Sequence, residues 1–96
     1  MADDGVEAIK EKVAPILRKH NVSRAGLFGS LASGAGGPDS DVDILVELSL
    51  ETSLLDFVGI KQELEEALGR RVDLVEYQTL KPLLRDEILR RQSAIL

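Results

Sequence analysis

Asp41 and Asp43 stand two residues apart in the run from Asp41 to Leu48, which alternates in the manner of a β-strand. On a strand, residues two apart project to the same side, so the two carboxylates stand together. Like charges held that close destabilise one another, and one takes up a proton unless a cation is supplied. Coordination of a hard divalent metal by oxygen ligands is the usual reason for such a pair. Taken alone, the pair would also suit exposed acids at a strand start or a weak calcium loop. Two further features narrow the reading: Gly29-Ser30 upstream and Asp73 downstream.

The elements that must position these residues can be read from periodicity. Val6, Ile9, Val13, Ile16 and Leu17 recur at helical spacing, predicting a helix from about Asp4 to Lys19 that Pro15 should kink or locally break. His20-Asn21 reads as its exit, and His20, the one histidine, as structural. Arg24 to Gly29 reads as a strand ending at the Gly-Ser turn, and Leu31 to Ser40 as a small-residue loop. Within the strand from Asp41 to Leu48, Val42, Ile44, Val46 and Leu48 face one way, with Asp41, Asp43, Leu45 and Glu47 the other. Ser53 and Asp56 resemble a capping box with Asp in place of Glu. The helix behind them carries Leu54, Phe57, Ile60, Leu64, Ala67 and Leu68 on one stripe and stops at Gly69. A third strand spans Arg71 to Glu76. Thr79 or Lys81 caps a last helix with Pro82 in its first turn and Leu84 and Ile88 inward. Ala94 to Leu96 adds a short edge strand.

One helix of about four turns between the second and third strands is the connection of a parallel crossover. Asp43 and Asp73 lie near the starts of those two strands, so parallel pairing brings them level. If the first strand runs antiparallel to the second, Gly29-Ser30 reaches the same edge. Gly29 would let the backbone approach a phosphate without a Cβ, and Ser30 would offer a hydroxyl and an N–H to it. Three carboxylates suit a two-metal site, with Asp73 the natural general base. Such a site needs little else, because positioning and charge stabilisation supply most of the catalysis of phosphoryl or nucleotidyl transfer.

Composition bounds the rest. Ninety-six residues, 44% hydrophobic and 30% charged, suit one α/β (α+β) domain over 1–96: a small mixed sheet with helices packed on it. The absence of Cys excludes disulfides, Cys-ligated zinc and thiol chemistry, and fits a cytoplasmic setting. No apolar run is long enough to span a bilayer, so no membrane association is expected. A net charge of -5 argues against direct nucleic-acid binding. That charge is uneven: residues 1–69 hold 6 Lys/Arg against 13 Asp/Glu, and residues 70–96 hold 6 against 4.

Gly29-Ser30, the run from Ser40 to Val46 and the run from Val72 to Val75 resemble the signature of the DNA polymerase beta nucleotidyltransferase superfamily, and within it the minimal nucleotidyltransferase group. The resemblance covers nearly the whole chain. It implies a polymerase-beta-type core, magnesium with room for two ions, and ATP as substrate. Gly29 and Ser30 match the triphosphate-binding turn, and Asp41, Asp43 and Asp73 the metal and catalytic carboxylates. The group often carries two arginines after the Gly-Ser; here Leu31 and Ser33 stand in those places, and Arg70 or Arg71 are the candidates to compensate. Members commonly pair with a HEPN-family toxin and act as its antitoxin, in some cases by moving AMP onto a toxin tyrosine. The competing reading from another class is a non-catalytic antitoxin that covers its partner. A small-molecule transferase of the aminoglycoside-modifying kind would need a second domain or a dimer to build its acceptor pocket. Leu80, Leu83, Leu89, Ile95 and Leu96 exceed what one small terminal helix needs, so they either complete the core or serve a homodimer or toxin interface.

Overall fold

The computed structural model describes residues 4–29 and 41–96. Ser30, Leu31, Ser33 and the expected loop to Ser40 lie outside the described residues. Helix α1 runs Asp4–Lys19 without interruption, Pro15 included, so the predicted break does not occur. Pro15 lies on the exposed side of the helix, where its ring and the carbonyl it leaves unbonded are in reach of water. Asn21, at φ 61, then takes the left-handed conformation, and Val22 N–H donates to the Leu17 carbonyl at 3.0 Å to close the exit.

Strand β1 (Arg24–Phe28) pairs antiparallel with β2 (Val42–Glu47), and β2 pairs parallel with β3 (Val72–Glu76). Helix α2 (Leu54–Leu68) makes the crossover between the parallel strands. Its start carries the expected capping box: Asp56 N–H donates to Ser53 Oγ and Ser53 N–H to Asp56 Oδ2, both at 3.1 Å. Its end is the left-handed Gly69, whose N–H donates to the Glu65 carbonyl. Beyond β3, a 3-10 turn (Tyr77–Thr79) leads to α3 (Pro82–Arg91) and to β4 (Ser93–Ala94). Strand β4 returns to pair antiparallel with β1, giving the order β3-β2-β1-β4. The architecture is therefore a four-stranded mixed sheet with three helices.

The two faces of the sheet differ. Ala25 and Leu27 of β1, Val42, Ile44 and Val46 of β2, and Val72 and Leu74 of β3 form one core with Ile9, Val13 and Leu17 of α1 and Ile60 and Leu64 of α2. Thirteen buried apolar side chains on this face are the main source of stability. The opposite face carries Phe28, Asp43 and Asp73, yet its centre is closed as well, for Leu45 and Tyr77 are buried there. The Tyr77 hydroxyl donates to Gln92 Oε1 at 2.7 Å, and the Arg24 guanidinium lies 4.7 Å from the Tyr77 ring centre.

Several expected faces turn out otherwise. Leu54 is 78% exposed and Ala67 is also exposed, so the buried stripe of α2 is narrower than its periodicity suggested. Helix α3 buries no residue fully, and Leu84 is 53% exposed rather than inward. Lys81, one of the two expected candidates, is the N-cap residue of α3, without a side-chain hydrogen bond to the helix, and Pro82 occupies the first turn as expected. Ile95 and Leu96 pack on the core, and both of their N–H groups donate to the Ala25 carbonyl; Leu83 is 94% exposed. No helix among the described residues is long and apolar enough to cross a membrane.

Candidate active site

The register of the sheet decides what meets what. Phe28 pairs with Asp43 across β1 and β2, and Asp43 pairs with Asp73 across β2 and β3. Paired residues share a face, so both carboxylates stand on the side opposite the α1–α2 core. Asp41, just before β2, is exposed at the same edge. Gly29 follows Phe28 and so arrives there from the opposite direction. The expected convergence of Gly29, Asp41, Asp43 and Asp73 is thus geometrical fact; Ser30 lies outside the described residues.

The electrostatics carry the mark of that crowding. Burial, then the charge of Asp73, then that of Asp41 push the Asp43 carboxyl above its ordinary value of 3.8. Three hard oxygen donors in mutual repulsion form a set suited to a divalent cation, which would relieve the repulsion. They are not closed into a ready-made cage: among the described residues no group of three or more His, Cys, Asp or Glu side chains is already gathered to hold an ion.

Gly29 has a more specific task than the sequence suggested. Its φ is +77, a conformation side-chain-bearing residues rarely adopt, and a Cβ there would overlap Asp43 Oδ2. The missing side chain leaves room for the carboxylate itself. Arg71 precedes β3 directly, and its charge is a minor influence on Glu65, whose Oε2 accepts from Val72 N–H at 3.0 Å. His20 bonds Glu63 at 2.8 Å between α1 and α2, away from the carboxylates, in the structural role expected of it.

Sequence reasoning did not find the cleft beside the acids. It holds about 480 Å³ and is lined, among the described residues, by Phe28 and Gly29 on one side and Leu84, Glu87, Ile88 and Arg91 of α3 on the other. Phe28, immediately before Gly29, was the one signal available; the docking of α3 over it is a tertiary event.

The profile of the family described as polymerase beta, nucleotidyltransferase, matches residues 11–96. The chain belongs to the polymerase beta nucleotidyltransferase family. Among curated relatives of this nucleotidyltransferase, a Methanocaldococcus jannaschii protein provisionally named a protein adenylyltransferase is 48% identical over 91 residues, spanning 95% of this chain and 98% of that one. The protein adenylyltransferase MntA of Thermococcus cleftensis is 40% identical over 88 residues, spanning 83% and 89% of the two chains. A solved structure provisionally described as a minimal nucleotidyltransferase superposes with a TM-score of 0.82 at 38% identity, covering 100% of this chain and 96% of the other. A toxin-antitoxin complex with AMP-PNP contains a chain that superposes with a TM-score of 0.77 at 25% identity, covering 91% and 72%. The fold is that of the minimal nucleotidyltransferases.

Proposed function

We propose that this nucleotidyltransferase transfers AMP from ATP to a hydroxyl of a protein partner, a HEPN-family toxin, as the antitoxin of the pair. The observation that carries the reading is the level placement of Asp43 and Asp73 with Gly29 packed against Asp43. The adenylyltransferase relatives and the toxin-antitoxin complex with AMP-PNP support the nucleotide and the partner class.

In this reading the Gly29-Ser30 turn holds the β- and γ-phosphates through backbone N–H groups and the Ser30 hydroxyl. Asp41, Asp43 and Asp73 would hold magnesium, which when bound neutralises phosphate charge. Asp73 stands on β3, the edge strand, and is the exposed member of the level pair, so it faces an incoming acceptor. It takes the proton of the acceptor hydroxyl as that oxygen bonds to the α-phosphorus. The bond from the α-phosphorus to the bridging oxygen breaks in the same displacement, and pyrophosphate leaves.

The test uses ATP labelled at the α-phosphate, magnesium and the candidate toxin. Label should move to the partner with the native protein and fail to move with Asp41→Asn/Asp43→Asn. Persistent labelling with the double variant, or none with the true partner, would sink the catalytic reading.

One observation favours the second reading, a module that masks its partner without chemistry. Leu50, Leu54 and Leu55, at 97%, 78% and 83% exposure, are large apolar side chains left exposed among the described residues, just before and at the start of α2. In that case the double Asn variant would still neutralise the toxin in full.

A further inference from the structure

We propose that the outer edge of β3 receives an extended segment of the acceptor protein as an added antiparallel strand, which sets the acceptor hydroxyl opposite Asp73. The inference rests on the transfer reading above and specifies how the partner engages the site.

The bonding pattern of the edge is the first observation. Among the described residues β3 is the outermost strand of the sheet and pairs with β2 alone. Val42 N–H donates to the Arg71 carbonyl at 2.9 Å. Backbone groups of successive strand residues point to alternate sides, so Asp73 and Val75 also bond toward β2, and Val72, Leu74 and Glu76 bond outward. Side chains already occupy the two ends of this outward row. Val72 N–H donates to Glu65 Oε2 at 3.0 Å, and the Thr79 hydroxyl donates to the Glu76 carbonyl at 2.9 Å. Between them the Val72 carbonyl, both groups of Leu74 and the Glu76 N–H meet no partner among the described residues. They are the complement of one short antiparallel strand.

Side-chain placement is the second. In that pairing Leu74 holds a hydrogen-bonded position and Asp73 a non-bonded one, where facing Cα atoms approach to about 4.5 Å. The residue opposite Asp73 then shares its face, with a hydroxyl beside the carboxylate assigned as base. The preceding residue of the segment, opposite Leu74, turns to the α2 side. There a groove of about 500 Å³ lies between the start of α2 and the end of β3, with Leu54, Phe57, Leu74 and Val75 in its walls. An apolar side chain fits it and covers Leu54, which is otherwise 78% exposed. Glu76 lines the same groove, so a Lys or Arg opposite it finds an opposite charge. In chain order the recognised segment is therefore basic, any residue, apolar, hydroxyl. A second copy of this chain is a poorer occupant. Pairing two β3 edges about Leu74 would aim Val72 N–H at the Glu76 carbonyl, both of which already hold side-chain bonds, and would gather both copies of Asp73 and Glu76 along one seam.

Glu76 has φ -83, which proline adopts, and a proline there removes an outward N–H without touching the ladder to β2. With labelled ATP, magnesium and the candidate toxin, Glu76→Pro should raise the KM for the toxin about tenfold and keep the affinity for ATP. Glu76→Gln, which retains the N–H, should raise it less. Leu54→Lys, at an exposed position, should raise it as well and serves if the proline variant fails to fold. Amide hydrogen exchange, read residue by residue in the native chain, supplies a measure besides activity. Adding the toxin should slow Leu74 and Glu76 far more than Val72, whose N–H Glu65 already holds. An unchanged KM in folded Glu76→Pro, or a Leu74 amide that the toxin does not slow, would overturn the proposal while labelling by the native chain upholds the transfer reading. Slowing that follows the concentration of this chain without toxin would overturn it in favour of a second copy. A native chain that labels no toxin would remove the transfer reading and this proposal together.

Discussion

Replacing Gly29 with Ala separates two effects of a single methyl group. The left-handed backbone at φ +77 makes Ala unfavourable by about 1–2 kcal/mol. The new Cβ also displaces the Asp43 carboxylate, which the proposed transfer reaction would need in place. Gly29→Ala should therefore lower the melting temperature modestly and cut transfer about a hundredfold, the scale expected when a reacting group moves by roughly 1 Å. A thermal melt beside a transfer assay checks the split; loss of activity in proportion to loss of folded protein would contradict it. That a glycine belonged at position 29 was legible from the Gly-Ser turn. Its reason was not, since the neighbour it accommodates is fourteen positions away and is brought close by strand pairing.

Local signals predicted element ends well because their partners lie within a turn. Ser53 with Asp56, Gly69 and Asn21 each act through hydrogen bonds or backbone conformation within a few residues. Ser53→Ala should thus cost about 1 kcal/mol in a denaturant titration, without altering the parallel pairing that α2 connects. The C-terminal elements are held differently. Gly26 has no side chain because Gln92 Oε1 and the Tyr77 hydroxyl occupy that space, which ties the segment after α3 to the middle of β1. Gly26→Ala should displace Gln92, break its bond with Tyr77 and destabilise by about 1–3 kcal/mol. Adding Gln92→Ala should recover part of that loss in a double-mutant cycle; strict additivity would show that the clash lies elsewhere.

Across the whole molecule, α1 and α2 are joined at one end by Glu63, which bonds Lys19 and His20. The Lys19 bond foremost, then the His20 bond, hold the Glu63 carboxyl below its ordinary value of 4.5. A group depressed on folding adds stability above its unfolded value, and that stability is lost as pH falls through the lower folded value. Melting temperature should accordingly decline as the medium is acidified below about 4.5, and Glu63→Gln should flatten that part of the profile. Profiles of equal slope for the two proteins would count against the pairing. The sequence by itself determined the order of helices and strands, the crossover and the level placing of Asp43 and Asp73, because periodicity and spacing are properties of neighbouring residues. Only the tertiary structure decided which apolar side chains find cover. Leu54 and Leu84 carry the same periodicity as Ile60 and Leu64, yet they end at the surface and at the cleft. Burial requires a second surface to meet, and no stretch of sequence states where that surface will be.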